Sequence, residues 1–295
     1  GILNAIWPIC LVIIAALFTY NLTLKTGAME LIKKMLAGVS VDERILLLII
    51  GWGFGNFMEG MAGFGTAVAI PASMLAGIGL DPMRAVIACL VVNSTPTAFG
   101  SVGVPTVTLA SVTGLDILSL SGNVALIQCI LTFLSPFFMV CIMGKGLKAL
   151  RGVLPMVFIA AISFTVPWFI AAQVIGCELP DIIGSIVSLI CMIAAARLFH
   201  KKPEAEYAIE LSEEEQHTEF TLAEGIKAWS PFILIFFLLI FTSTLCPPVH
   251  NLIAGIATSV VVYAGEGGST LTFSWINTPG IMIFIAAIIG GFIQK

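Results

Sequence analysis

Glu59 is the only charged residue that the sequence places inside a long apolar stretch, and glycines lie on both sides of it. The segment 51–66 reads GWGFGNFMEGMAGFGT, in which Asn56 and Thr66 add further polar side chains. An ionisable group at membrane depth is costly, so it normally marks a functional site. A helix interrupted beside such a group is typical of a transporter's substrate site. The pattern therefore indicates transport chemistry.

A second polar interruption follows in the next apolar stretch, where residues 93–100 read NSTPTAFG. The stretch 83–112 would form about 45 Å of helix, too long for one untilted crossing. We therefore expect two half-helices joined by an unwound polar linker. Non-helical backbone survives at membrane depth only around a protein-lined or wet cavity. Half-helix N-termini aim free N–H groups at such a cavity and favour a bound anion.

These patterns assign provisional roles to seven residues. The substrate-binding candidates are the polar side chains at the two interruptions: Asn56, Thr66, Asn93, Ser94, Thr95 and Thr97. Glu59 is the proton-coupling candidate, because a buried carboxyl without a cation favours its protonated form. Two other interpretations stay open for Glu59: it caps backbone N–H groups or pairs with a basic residue elsewhere, or it binds a cation directly.

The composition defines the elements that must position these residues. The chain is 59% hydrophobic and 10% charged, far below the charge of a soluble domain. We expect an all-α polytopic membrane protein with seven or eight spans and a single transmembrane domain over 1–295. The clear spans are 2–20, 123–143, 153–175, 182–199, 229–246 and a last one that begins at 279.

The remaining segments do not fit simple crossings. Residues 45–79 contain two limbs of about 18 and 24 Å of helix, each shorter than the bilayer core of about 30 Å. They predict a re-entrant hairpin, and 83–112 predicts the broken helix. Residues 29–36 predict an amphipathic helix, 200–227 an acidic cytoplasmic loop, and 247–278 an external loop with a small β-hairpin between 260 and 275.

Basic residues predict the orientation. With alternating crossings, all 13 lysines and arginines fall on one side, which is then the cytoplasmic side of the membrane. The opposite loops carry only the acids Asp116, Glu178, Asp181 and Glu266.

Other functional classes find little support in the sequence. The seven cysteines form no Cys-x-x-Cys pair, and the three histidines lack metal-ligand spacing, so we expect neither a metal nor a cofactor. No set of nucleophile, base and orienting group suggests an enzyme. The glycine run is not a dinucleotide fingerprint. Nucleic acid is not an expected partner, whereas the lipid bilayer is.

Several longer motifs resemble one known family. Residues 57–70 read FMEGMAGFGTAVAI, 93–105 read NSTPTAFGSVGVP, 112–116 read VTGLD and 178–189 read ELPDIIGSIVSL. Together they are similar to the bacterial lactate permease family along essentially the whole chain. The motifs are specific.

The resemblance implies a proton symporter for L-lactate, and in relatives D-lactate or glycolate, so a small monocarboxylate and a proton become the expected partners. It also implies an ion-transporter-like inverted repeat with an elevator motion. Family members are longer, so we expect this chain to be a fragment with half a site that does not transport alone. A sodium-coupled carboxylate symporter and an ion channel are the alternatives, and a homodimer is compatible with the sequence.

Overall fold

The fold is almost entirely helical, as the composition predicts. The computed structural model describes residues 5–61, 63, 66–198, 205–209, 221–242, 246–263 and 269–295. Four of the described helices are long and apolar enough to cross a membrane, and two bent helix pairs raise the number to six. The sequence predicted seven or eight spans. The difference arises because several apolar stretches fold as helices too short to cross alone, among them Thr66–Gly77 and Pro279–Gln294.

The helices are numbered here in chain order. They are α1 (Leu11–Lys25), α2 (Ala28–Ala37), α3 (Glu43–Leu46), α4 (Gly55–Met61), α5 (Thr66–Gly77), α6 (Pro82–Asn93), α7 (Gly100–Thr113), α8 (Ile117–Met143), α9 (Leu154–Val174), α10 (Pro180–Leu198), α11 (Leu222–Thr242), α12 (Pro247–Ala254) and α13 (Pro279–Gln294). A π-helical segment, Leu47–Phe54, joins α3 to α4. The two strands are β1 (Ala257–Tyr263) and β2 (Ser269–Ser274).

The chain divides into two compact units. The first contains Gly1–Glu30 and Leu222–Lys295, and the second contains Leu31–Thr221. Both predicted interruptions, and all seven candidate residues, belong to the second unit.

Glycines set the helix packing of the first unit, in which α13 packs against both α1 and α11. A side chain at Gly280 would lie 2.8 Å from Leu11, and one at Gly290 would lie 2.6 Å from Pro231. Small residues allow such close backbone approach between membrane helices, where dispersion contacts drive association. Each of these glycines therefore fixes a helix crossing.

The β-hairpin in this unit pairs β1 with β2 in antiparallel register, from Ala257 opposite Ser274 to Tyr263 opposite Ser269. It begins three residues before the predicted segment. Trp275 Nε1 donates to Thr258 Oγ1 at 2.9 Å and its ring lies 5.4 Å from that of Trp7. The helix α12, just before the hairpin, was not predicted.

Three long helices, α8, α9 and α10, pack in sequence in the second unit. Asp116 caps α8 by accepting from the backbone N–H of Ser119 at 2.9 Å, and Gly114 ends α7 in a left-handed conformation. The π-helical segment and α4 lie against α10, while α6 lies against α8. The interrupted segments thus pack against this group of three helices.

The interrupted segments themselves are two helix pairs. The π-helical segment with α4 packs against α5: a side chain at Gly55 would lie 3.5 Å from Ala67 O and from Pro71 Cγ. The structure also ends α6 at Asn93 and begins α7 at Gly100, with a short 3₁₀ turn at Thr97–Phe99 and a 68° bend between the two helices.

Candidate functional site

Helix α4 carries two buried polar side chains on one face. Asn56 and Glu59 are three residues apart, a spacing that stacks side chains on the same side of a helix. Their exposed fractions are 1% and 4%. Three of their atoms have no hydrogen-bond partner among the described residues: Nδ2 and Oδ1 of Asn56 and Oε2 of Glu59. Buried polar atoms are nearly always paired, so this cluster is the most unusual polar feature of the unit.

The carboxyl of Glu59 lies against Gly100, the first residue of α7. A Cβ added at Gly100 would overlap Oε1 of Glu59 and would lie 3.0 Å from its carboxyl carbon. The absence of a side chain at Gly100 therefore makes room for the acid. This contact joins the first interruption to the second.

The backbone after Gly100 adopts an uncommon conformation. Ser101, Val102 and Gly103 have φ angles of +48°, +56° and +73°. A β-branched residue such as Val102 rarely takes a positive φ, and such strained backbone concentrates at functional sites. At the tip of the hairpin, a Cβ at Gly63 would lie 2.5 Å from Ser101 Oγ. Hairpin tip and broken helix are therefore in direct contact.

Side-chain hydrogen bonds hold the unwound linker. Thr95 Oγ1 donates to Val92 O at 2.9 Å, and Ser135 Oγ from α8 donates to Thr95 Oγ1 at 3.1 Å. On the far side of the break, Thr106 Oγ1 donates to Ala98 O at 2.6 Å. The bonds to Val92 O and Ala98 O satisfy carbonyl groups near the interruption, and the bond from Ser135 ties the linker to α8.

The remaining candidates occupy less uniform places. Asn93 is half-buried, and its Oδ1 atom has no hydrogen-bond partner in the described part of the chain. Ser94 is exposed and donates to Val91 O at 2.7 Å. Thr97 is half-buried in the 3₁₀ turn. The side chain of Thr66 lies outside the described residues. The geometry thus brings Glu59 to the break, leaves Asn56 buried one helical turn before it, and leaves Ser94 exposed.

Asp181 is a buried acid that the sequence analysis assigned wrongly to an external loop. It lies in the first turn of α10 and is 1% exposed. Trp168 Nε1 donates to its Oδ1 at 2.7 Å, and its Oδ2 has no hydrogen-bond partner among the described residues. Glu59 is therefore not the only buried acid of the apolar segments. An aspartate just before an apolar run looks like an exposed helix cap, and only the partner Trp168, 13 residues earlier, reveals its burial.

Aromatic rings connect this acid to the break. The ring of Trp168 lies 5.3 Å from that of Phe99 in the 3₁₀ turn and 6.4 Å from that of Phe164. Phe164 in turn meets Trp52 of the π-helical segment at 4.8 Å. Edge and offset contacts of this kind add to burial and fix ring positions. The aromatic cluster Trp52, Phe99, Phe164 and Trp168 thus forms a rigid support beside the two acids.

In the described part of the chain, no cation forms an ion pair with either acid of the site. The described residues contain one ion pair, between Arg44 and Asp42, and neither Glu59 nor Asp181 takes part in it. They contain no group of three or more metal-ligating side chains either. A buried carboxyl without a cation can exchange a proton, and free amide groups beside a half-helix can bind an oxyanion. The arrangement therefore has the groups that coupling a proton to an anion requires.

Comparison with known proteins identifies relatives of the chain. A family model described as L-lactate permease matches residues 1–295. The L-lactate permease of Streptococcus iniae is 42% identical over 294 residues, which cover 100% of this chain and 60% of that protein. The L-lactate permease of Escherichia coli strain K12 is 35% identical over 80% of this chain and 43% of that protein.

A relative with another named substrate also matches. The glycolate permease of Escherichia coli strain K12 is 31% identical over 99% of this chain and 58% of that protein. The matched residues thus cover between 43% and 60% of the length of these relatives. No solved structure matches the chain.

Proposed function

The chain belongs to the L-lactate permease family, and we propose that the protein is a secondary transporter that imports L-lactate with protons across the bacterial plasma membrane. D-lactate and glycolate are further proposed substrates, since one relative is named for glycolate. In this proposal the substrate is a small 2-hydroxy monocarboxylate and the driving force is the proton gradient.

One observation carries the proposal: the buried carboxyl of Glu59 lies against Gly100, inside the break that precedes the regular part of α7. An anion bound at that half-helix end and an ionised Glu59 would repel each other. Protonation of Glu59 removes the repulsion, so the anion and the proton bind together. Their movement is then coupled.

We assign roles to the other residues on the same basis. Backbone N–H groups at the two interruptions hold the carboxylate, and side-chain amides and hydroxyls hold the 2-hydroxyl group. The side chains proposed to contact substrate are Asn56, Thr66, Asn93, Ser94, Thr95 and Thr97. Asn56 has the strongest support, because both of its amide atoms are buried and unpartnered in the described part of the chain.

The architecture of the site is also a proposal. We infer that the hairpin 45–79 is re-entrant and that the broken helix 83–112 completes one half of an inverted repeat. The contact between Gly63 and Ser101, which joins the hairpin tip to the break, supports this pairing. The basic loops are proposed to be cytoplasmic, and a homodimer is a compatible assembly.

The test of the proposed function is uptake of labelled L-lactate by proteoliposomes under defined gradients. We expect saturable accumulation when an inward proton gradient is imposed, with or without sodium, and inhibition by excess glycolate. Accumulation that requires sodium and ignores the proton gradient would establish a sodium-coupled symporter instead. Unitary ohmic currents without accumulation would establish a channel.

A further inference from the structure

Asp181 packs directly against the turn that carries Glu59. A Cβ added at Gly60 would lie 2.8 Å from Asp181 Cβ and 3.0 Å from Ile182 Cγ1. These separations are well inside normal carbon contact, so only glycine lets α10 approach α4 this closely. The approach places Asp181 on the turn of α10 that packs against the residue after Glu59.

Each acid also presents one buried oxygen without a partner in the described part of the chain. These atoms are Oε2 of Glu59 and Oδ2 of Asp181. Both side chains are more than nine-tenths buried. A doubly charged state of two buried carboxyl groups on packed helices is disfavoured, because burial and mutual repulsion act in the same direction. We therefore expect the two groups to hold at least one proton between them.

We propose that Asp181 and Glu59 act as one proton-binding pair, and that the substrate anion binds only after this pair has taken up its second proton. The inference rests on the proposed function and extends it to a residue that the sequence placed in an external loop. With one proton bound, the pair carries one negative charge, which repels a carboxylate at the neighbouring half-helix end.

The transport cycle then balances in protons and charge. On the outer side a proton from water forms an O–H bond with the remaining carboxylate oxygen, the pair becomes neutral, and the anion binds. On the inner side that O–H bond breaks, the proton returns to water, and the restored negative charge favours release of the anion. One proton accompanies one anion: the first proton stays on Asp181, and Glu59 carries the proton that is exchanged.

Trp168 is the positioning residue of this pair. Its indole N–H donates a hydrogen bond to Oδ1 of Asp181, so Oδ2 is the oxygen that can be protonated. The ring lies between Phe99 and Phe164, so its N–H has little freedom to turn away. The geometry thus distinguishes the two oxygens of Asp181.

Other ionisable groups near the pair are few. Those on the helices and the loop that contact α4 or α10 are, among the described residues, Arg84, Cys89, Cys177, Glu178, Cys191 and Arg197. Arg84 lies in the first turn of α6 and donates to Met143 O at 3.3 Å. Arg197 lies in the last turn of α10, about 24 Å along the helix from Asp181. Neither arginine therefore compensates the pair directly.

The test is Asp181→Asn in the complete protein, reconstituted in proteoliposomes. Asparagine keeps the size of the side chain and the acceptor for Trp168, but it cannot take up a proton. Glu59 can still exchange one proton in this variant, but it no longer has a second acid beside it, so we expect the external pH of half-maximal L-lactate uptake to shift by about one unit or more. Exchange of L-lactate at equal pH on both sides should remain within about threefold of wild type, because it needs no net proton movement.

Asp116→Asn is the matched control. Asp116 is an exposed helix cap, and asparagine caps a helix as well as aspartate does, so wild-type transport is expected. Trp168→Phe is a second variant, which keeps an aromatic ring but removes the N–H donor. We expect it to shift the pH of half-maximal uptake by about one unit without abolishing exchange.

The outcomes separate this inference from the proposed function. Wild-type uptake that is proton-driven, together with wild-type accumulation and pH profile in Asp181→Asn, would contradict the proton-binding pair. The proposed symport would not be affected by that result. If wild-type uptake does not respond to the proton gradient, the symporter itself fails and the pair with it. Should Asp181→Asn not fold, an unchanged pH profile in Trp168→Phe overturns the pair and a shifted one supports it.

Discussion

Gly100 leaves the space that the carboxyl of Glu59 occupies. Its backbone angles, φ −61° and ψ 160°, are open to any residue, so conformation does not require glycine there. Glycine is required there by the available space, because a Cβ would overlap Oε1 of Glu59. The carboxyl is the far end of a flexible side chain, so it can move away without disturbing the backbone.

Gly100→Ala is therefore expected to alter coupling more than stability. The added methyl group displaces the Glu59 carboxyl, while alanine at the start of a helix costs no conformational strain. We predict that proton-driven accumulation of L-lactate falls by about fivefold or more and that the thermal unfolding midpoint in detergent changes little. Uptake and unfolding are measured on the same purified preparation.

Gly55→Ala is the matched control for this substitution. A Cβ at Gly55 has its nearest neighbours at 3.5 Å, which is ordinary van der Waals contact. Wild-type transport is expected from it. Normal coupling in Gly100→Ala would show that the position of the Glu59 carboxyl is not critical.

The residues of the site differ in how far the sequence could identify them. Glu59 and Asn56 stand out because charge and amide groups are rare in an apolar run flanked by glycines. Asp181 does not, because its position before an apolar run is the normal place of an exposed cap. Its burial depends on Trp168 and Gly60, which are distant in sequence. Gly100 is similar, since its role depends on a contact 41 residues away.

Interrupted helices are the central elements of the second unit, and glycine and proline make them predictable. The structure has non-helical backbone between Asn93 and Gly100, inside the segment that the polar run NSTPTAFG suggested. The π-helical geometry of Leu47–Phe54 and the left-handed run Ser101–Gly103 could not be predicted. Both depend on packing against neighbouring helices and leave no local pattern in composition.

Arg44 anchors the base of the hairpin. It is 2% exposed and binds Asp42 through two nitrogens, with Nε to Oδ1 at 3.0 Å and NH2 to Oδ2 at 2.8 Å. Its NH1 donates to Ala149 O and Arg151 O at 3.0 and 2.9 Å. Tyr207, from the short described part of the acidic loop, places its ring 4.0 Å from the guanidinium. One side chain thus holds three chain segments together.

Arg44→Lys is expected to weaken this anchor. A lysine keeps the charge but cannot reproduce the planar fork that contacts Asp42 and two carbonyl groups at once. We predict that the free energy of unfolding of the protein falls by about 2 kcal/mol, the cost of losing one or two hydrogen bonds to a charged group. Chemical unfolding in detergent measures this change.

Arg197→Lys provides the comparison, because Arg197 is exposed at the end of α10. It should change the free energy of unfolding by less than about 0.5 kcal/mol. Equal stability of the two variants would contradict the anchoring role of Arg44.

Composition alone predicts the class of the protein. A chain with 59% hydrophobic and 10% charged residues folds, in its described part, as membrane-length and shorter apolar helices with one two-stranded sheet. The number of spans was predicted less well, because hydropathy does not distinguish a membrane-spanning helix from a short apolar helix that does not cross the membrane. Orientation, the single functional domain and the inverted repeat stay predictions. They concern the membrane and the arrangement of whole units, which local sequence patterns do not determine.

The account as a whole depends on Glu59 exchanging a proton in step with the anion. Glu59→Gln tests this most directly, because glutamine has nearly the same shape and cannot release a proton. The measurement is labelled L-lactate in proteoliposomes, recorded once as accumulation driven by an inward proton gradient and once as exchange at equal pH. We predict that Glu59→Gln loses accumulation and keeps at least part of the exchange. Accumulation at the wild-type level in this variant would contradict the account.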